Sequence, residues 1–301
     1  MEGCEMKKSI FNARNRFIFM TLLVPVILLL LFVIYPIWEL LRMSFTDWNG
    51  TSLTKNFIGF KNYTNMLFHS PELWMSLKNN GIYFVVHLIA IPVEIALAVI
   101  LDTKFKGSKF FKTTTFMPYI INGVAISYAF SFFYSPVNGG FNELLKLLGM
   151  EGFIKNWLSD PAIVNFTLAS VSIWKYSGYH IVLFLAALQS LPQDTIEAAV
   201  MDGANAWQRF RFVLLPGITI VLDFVLFSNV RGALQVFDIP FVITKGGPGY
   251  ASSTFSLYTI DTAFKYDNFG MASTMGITIM FLIIVITVIQ NRIVKFVRKD
   301  V

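Results

Sequence analysis

Six apolar stretches, each about twenty residues long, decide what this 301-residue chain can fold into. They run from about Phe17 to Trp38, Asn79 to Leu101, Thr113 to Tyr134, Ile163 to Leu191-Pro192, from after Pro216 to Ile239-Pro240, and Gly270 to Gln290. Each carries about 30 Å of helix, the thickness of the hydrocarbon core of a bilayer. In lipid every backbone N–H and C=O must be satisfied within its own segment. The expected fold is therefore an all-α membrane protein with six transmembrane helices. The strand alternation and aromatic girdles of a membrane barrel are absent from the sequence. Composition agrees, with 14% charged residues against about 25% in a soluble domain. The first stretch is longer than a signal-peptide core and no small-x-small site follows it, so it reads as a retained anchor.

The net charge of +6 would point to nucleic acid on a soluble protein. Here the lysines and arginines flank the spans, so the expected surroundings are membrane lipid, with no nucleic acid. Lys7, Lys8, Arg14 and Arg16 precede the first span. Lys104, Lys106, Lys109 and Lys112 lie between the second and third, Arg209 and Arg211 between the fourth and fifth, and Arg292, Lys295, Arg298 and Lys299 after the sixth. That side holds fourteen basic residues and the other holds eight. The positive-inside rule then makes residues 1–16 and 292–301 cytoplasmic tails of a six-helix domain over 17–291, and makes the loop at 192–216 cytoplasmic. The outer loop near 43–78, with Arg42, Lys55, Lys61 and Lys78, runs against this count. Its aromatic-rich part, residues 44–63, suits the headgroup layer.

Several chemistries have no foothold. No GxxxxGK[ST] phosphate loop is present, so no ATP site is expected in this chain. His69, His87 and His180 are scattered without metal-ligand spacing, and Cys4 is the single cysteine. Neither catalysis nor a resident cofactor is expected. Transport, a channel or a scaffold remain.

The polar exception is "EAAVMDGANAWQRFRFVLLPG", Glu197 to Gly217. Leu191-Pro192 stops the fourth span, since proline disfavours helix in the residue before it. Asp194 and Glu197 have capping-box spacing, which predicts a helix starting at Thr195. Ala198 and Ala199 form helix well and leave its face clear. Gly203 suits the left-handed position that ends it. Trp207, Phe210 and Leu214 recur at helical spacing, and Pro216 opens the fifth span. The pattern predicts a helix–turn–helix along one membrane surface. By shape alone it either rests on headgroups or presents its first helix to a partner.

The spacing adds more. Glu197-Ala198-Ala199, then Gly203, then Val213-x-Leu215-Pro216 resembles the EAA-x3-G-x9-I-x-LP signature of ABC-importer permeases, with Val in place of Ile. Asp202-Gly203-Ala204 matches the DGA continuation. "FLAALQSLPQDTIEAAVMDGANAWQRFRFVLLPG" from Phe184, Ile173-Trp174-Lys175, "VFDIPFVITKGGPG" from Val236 and "FIGFKNYTNML" from Phe57 resemble the sugar-permease branch, of the component-one type found with maltose, glycerol-3-phosphate and multiple-sugar transport. The resemblance covers roughly residues 15–295. It implies a type I ABC-importer transmembrane domain in a bacterial cytoplasmic membrane. It also implies a second permease as heterodimer partner, two copies of a cytoplasmic ATPase that carry ATP and Mg, and an extracellular solute-binding protein. Glu197, Ala198, Ala199, Asp202 and Gly203 would form the coupling helix that docks on the ATPase, and the cargo would be a sugar or oligosaccharide. A glycerol phosphate is the rival cargo, and an ion-coupled secondary transporter or a membrane scaffold are readings of another class.

Charges within spans are costly, about 2.5–3.5 kcal/mol each, and mark protein-facing or cavity-facing positions. Glu94, Lys175, Asp223 and Arg231 are such charges. Ser172, Lys175, Tyr176 and Tyr179 share one helical face, and Asn229, Gly232 and Ala233 share another. These seven are the candidates for a substrate path. Each has a plainer reading. Lys175 would pair with an acid or snorkel, the tyrosines, Asn229 and Gly232 would pack helices, Asp223 and Arg231 would pair with each other or with the partner subunit, and Glu94 would reach headgroups.

Overall fold

The computed structural model describes residues 2–103 and 105–299, with side chains from 14 to 294 except at 104. Lys104 and the side chains of Cys4, Lys7, Lys8, Lys295, Arg298 and Lys299, all used in the sequence reading, lie outside the described residues. Among the described residues the chain is helical, and its one β contact is an isolated antiparallel bridge between Thr46 and Phe57. Five helices are long and apolar enough to cross a bilayer: Arg14–Met43, Pro71–Asp102, Val164–Gln189, Thr219–Ile243 and Phe269–Val294. Two further apolar helices, Ser108–Ile120 and Gly123–Phe133, meet at 98°, the geometry of a broken span or of a re-entrant loop.

The chain divides into two compact units, Met1–His69 with Thr262–Thr278, and Ser70–Asp261 with Ile279–Val301. In the first unit, α1 (Glu2–Leu29) continues through a π turn at Leu30–Ile34 into α2 (Tyr35–Met43). None of the most apolar part of this span is buried. After it the loop folds on itself. Phe45 packs on Phe57, Phe60 and Tyr63, the last two flanking the start of α3 (Lys61–Phe68). The Asn62 amide donates to the carbonyls of Ser44 and Thr46 at 3.0 and 2.8 Å. Gly270 touches the Thr46 carbonyl so closely that a Cβ would not fit.

The second unit is built on α4 (Pro71–Asp102) and α8 (Val164–Gln189). Lipid supplies no hydrophobic drive between helices, so small residues and polar clamps set the packing. Gly178 of α8 lies against the Thr115 carbonyl of α5 (Ser108–Ile120), where any side chain would collide. Three asparagines act as clamps. Asn79 donates to the Ser253 carbonyl at 2.7 Å, and Asn165 to the Ala251 carbonyl at 2.7 Å. Asn80 donates to the carbonyls of Ala233 and Leu234, at 2.5 and 3.3 Å, and accepts from the Phe255 amide at 2.8 Å. Those two carbonyls end a helix, α12 (Thr219–Gln235), where the last carbonyls have no partner within the helix.

Two spans differ from the sequence reading. The third, expected as one helix over 113–134, breaks at Ile121, which is extended. Asn122 then caps α6 (Gly123–Phe133), accepting from the Val124 amide at 2.9 Å. A cap side chain competing for the backbone ends one helix and starts another. The fifth reaches Ile239-Pro240 as expected, over Thr219–Ile243, but is broken inside: α12 ends at Gln235, Val236 leaves the helical conformation, and α13 (Asp238–Ile243) starts anew with Asp238 in its first turn. Pro240 falls in that turn, where its missing N–H costs nothing.

The segments between the long helices also hold short ones, α7 (Gly140–Leu147) and α14 (Phe255–Phe264), the latter followed by α15 (Phe269–Lys299).

Candidate functional site

Two features of the second unit stand apart from plain helix packing. The first is the polar hairpin. Its leading helix, α9, spans Gln193–Met201, two residues earlier than the sequence spacing predicts. Pro192 sits at the N-cap and no side chain caps the helix. Asp194 is therefore inside the first turn, where its charge faces the positive helix end. Glu197 accepts from the Gln193 side chain at 3.1 Å instead of closing a capping box. The capping box sits one helix later. Asn205 accepts from the Gln208 amide at 2.9 Å, and Gln208 accepts from the Asn205 amide at 2.8 Å, starting α10 (Ala206–Arg209). Between the two helices Gly203 has φ +78°, the left-handed geometry that only glycine takes freely. A π turn (Phe210–Leu214) and α11 (Leu215–Gly217) lead to α12, so Pro216 precedes the fifth span by three residues.

No residue of α9 is buried. Glu197, Ala198, Asp202 and Gly203 are exposed, and Ala199 is half-buried. Val200, Met201 and Trp207 are apolar and exposed beside them, Met201 at 86%. The helix packs chiefly on residues 206–214. A nine-residue helix is about 13 Å long, so this is a short rod on a stalk. The α4 end lies at the same end of the bundle, because Gln189 donates to Asp102 at 3.3 Å.

The second feature is a cavity of about 410 Å³ bounded by α4, α5, α8, α12 and α13. From α8 it takes Ser172, Tyr176, Tyr179 and His180, and from α12 Asn229, Gly232 and Ala233. Six of the seven residues named for a substrate path thus line one space. Lys175 stands behind the wall. It is buried, its Nζ lies 3.5 Å from the carboxylate of Asp238, and its ammonium sits 5.2 Å from the Tyr176 ring centre. Gly123, at the start of α6, is pressed against both charges, where a side chain would collide. The pair thus ties three elements together, and Asp238 also faces the cavity.

Tyr119 of α5 completes an aromatic wall. It stacks on Tyr179 at 4.6 Å and meets Tyr176 edge-on at 6.2 Å. Asn229 is buried and donates to the Phe84 carbonyl at 3.3 Å. Gly232 has open space on its side-chain side. Arg231 donates from Nε to Gln235 at 3.1 Å, one turn away. Such a surface offers ring faces, hydroxyls and amides, the groups that receive a polyhydroxy solute.

For Glu94 the sequence left a protein-facing position and the headgroups open; the residue is buried, and its carboxylate meets His180 Nδ1 at 3.0 Å. One turn of the same interface joins His87 Nε2 to Ser172 at 2.8 Å. His87, His180 and Asp238 were missed as neighbours of the path. Asp238 carried a signal, as an acid beside a span. The histidines carried none, because their partners are 85 and 86 residues away. Among the described residues no cluster of His, Cys, Asp or Glu suits a metal ion.

Known proteins share this plan. The family model for the binding-protein-dependent transport system inner membrane component matches residues 4–299. The chain is similar to the probable ABC transporter permease protein YurN of Bacillus subtilis, with 33% identity covering 94% of this chain and 97% of that one. It is similar to the lactose transport system permease protein LacF of Rhizobium radiobacter, with 31% identity covering 87% and 89%. The trehalose/maltose transport system permease protein MalF of Thermococcus litoralis is 30% identical, covering 90% of each. In fold it is similar to a chain of a bacterial ABC transporter that imports the acidic polysaccharide alginate, with a TM-score of 0.82 and 24% identity over 97% of this chain and 98% of that one.

Proposed function

Because the chain belongs to the family of inner membrane components of binding-protein-dependent transport systems, we propose that it is the permease subunit of an ABC importer for sugars or oligosaccharides. It forms half of the translocation pathway, with a second permease across the cavity face. ATP and its Mg²⁺ stay with a separate cytoplasmic ATPase, present in two copies. A solute-binding protein delivers cargo from outside, and both termini and residues 192–216 face the cytoplasm.

The observation that carries this reading is α9. A helix with no buried residue, cleared by Ala198 and Ala199 and turned by a left-handed Gly203, projects from the bundle between two spans. Its exposed Val200 and Met201 give a docking partner apolar area, and Glu197 gives it a charge to register on. ATP-driven closure of the ATPases would move this rod and, through Pro192 and Pro216, the ends of α8 and α12. Those two helices carry most of the residues that line the cavity, so motion at the loop would reach the path. The names of relatives that transport lactose and trehalose or maltose support a saccharide cargo, and the tyrosine, serine and asparagine lining suits one.

Co-purification from a host expressing the neighbouring transport components tests the assembly. The complex should contain this chain, a second permease and the ATPase. A panel of sugars, each with the cognate binding protein, should then include one that stimulates ATP hydrolysis. Uptake that survives ATP depletion and collapses with the ion gradient would replace this reading with an ion-coupled one.

A further inference from the structure

The ionisable groups around the cavity have close partners, except that Arg231 has no acid beside it. Asp238 has Lys175 at 3.5 Å, and His180 has Glu94 at 3.0 Å. His87 is matched by the Ser172 hydroxyl. Arg231 lines the same cavity, is exposed, and has no carboxylate within ion-pair distance among the described residues. Its recorded hydrogen bond goes to neutral Gln235, which leaves the outer edge of the guanidinium free to offer its parallel N–H pair. The next residue, Gly232, lines the same cavity and has nothing within 4 Å of where a side chain would stand, so the cavity has room on that side of the helix. An uncompensated cation within a span is costly and marks a functional position. A neutral saccharide is served by the hydroxyls, amides and rings already present and gives no return for this charge.

We propose that Arg231 makes this pathway selective for saccharides bearing an acidic group, a carboxylate, sulfate or phosphate, which it grips in bidentate fashion beside Gly232 while the tyrosine wall holds the sugar body. The inference rests on the reading of the cavity as a solute path. Gln235 is the positioning residue, because its hydrogen bond to Nε fixes the plane of the fork. Lys175 plays no part in gripping the anion, since its charge is spent on Asp238.

The test uses the whole complex in proteoliposomes, with the cognate binding protein and matched probes. Glucose is compared with glucuronate and glucose 6-phosphate, and a neutral disaccharide with its uronic acid. The acidic member should stimulate ATP hydrolysis and uptake about tenfold or more above the neutral one, the size of one charge-assisted hydrogen bond. Arg231→Gln should erase that preference, and Arg231→Lys should keep part of it, since charge survives but the fork is lost. A neutral sugar that works as well as its acid, or a preference that persists in Arg231→Gln, would overturn the proposal and leave the saccharide reading intact. An Arg231→Gln chain that loses the second permease while Arg231→Lys retains it would assign this charge to the subunit interface, and that too would overturn it. Stimulation by no sugar of either kind would instead count against the saccharide reading itself.

Discussion

Lys175 and Asp238 show how a single buried charge is kept in a span. Lys175 has 8% of its side chain exposed and Asp238 has 32%. Removing the acid alone strands an ammonium in a low-dielectric wall. Asp238→Asn should therefore destabilise the folded protein by about 3 kcal/mol, the lower end for a broken buried pair because the acid is partly wet. Lys175→Met combined with Asp238→Asn should recover much of that loss, as read by thermal unfolding in one detergent. An additive double variant would mean that the two charges do not interact. At this scale the sequence was half legible. The spacing of Ser172, Tyr176 and Tyr179 put them on one face, and the structure puts that face on the cavity. The same spacing carried Lys175 with them, because periodicity reports which face a residue is on and not how far its head group reaches. Glu94 was left open for a related reason. Distance from a span end gives depth along the helix, whereas its partner His180 comes from another helix.

At the scale of elements, local chemistry decides where helices stop. Asn122-Gly123 breaks the third span because the asparagine side chain supplies a cap that the continuing helix could not use. That signal was present in the sequence but was outweighed by apolar length. The hairpin gives the converse case. Asp194 and Glu197 have capping-box spacing, yet Pro192 already supplies a rigid start, so the box moves to Asn205 and Gln208. Asn205→Ala should cost the hairpin about 1 kcal/mol. Insertion should be unchanged, while protease cleavage between Gly203 and Trp207 should rise. Cleavage equal to that of the unaltered protein would show that the cap does not hold the turn. Contact between α5 and α8 depends on Gly178 in the same direct way. A Gly178→Leu side chain would meet the Thr115 carbonyl, so the yield of folded protein in gentle detergent should fall sharply. An undiminished yield would mean that the two helices can part without cost.

For the whole molecule, the membrane class and five long helices were written in the length of the apolar runs, since the bilayer fixes that length. The cavity was not, because it arises where five helices converge from distant parts of the chain. Filling it offers a test that leaves the hairpin alone. Gly232→Leu has room to fold and should assemble normally, yet lower uptake at least tenfold by occupying the path. Normal uptake would place the path elsewhere. The central claim concerns the hairpin, namely that energy enters this subunit at α9 from another protein. It is tested most directly by measuring ATP hydrolysis and solute uptake on one proteoliposome preparation, for complexes carrying either the unaltered chain or Gly203→Pro. Proline fixes φ near −65°, so it cannot adopt the +78° seen there. The account predicts that the unaltered complex couples the two, and that the assembled variant loses uptake and loses stimulation of its ATPase by loaded binding protein. Normal uptake by a correctly assembled Gly203→Pro complex would contradict it.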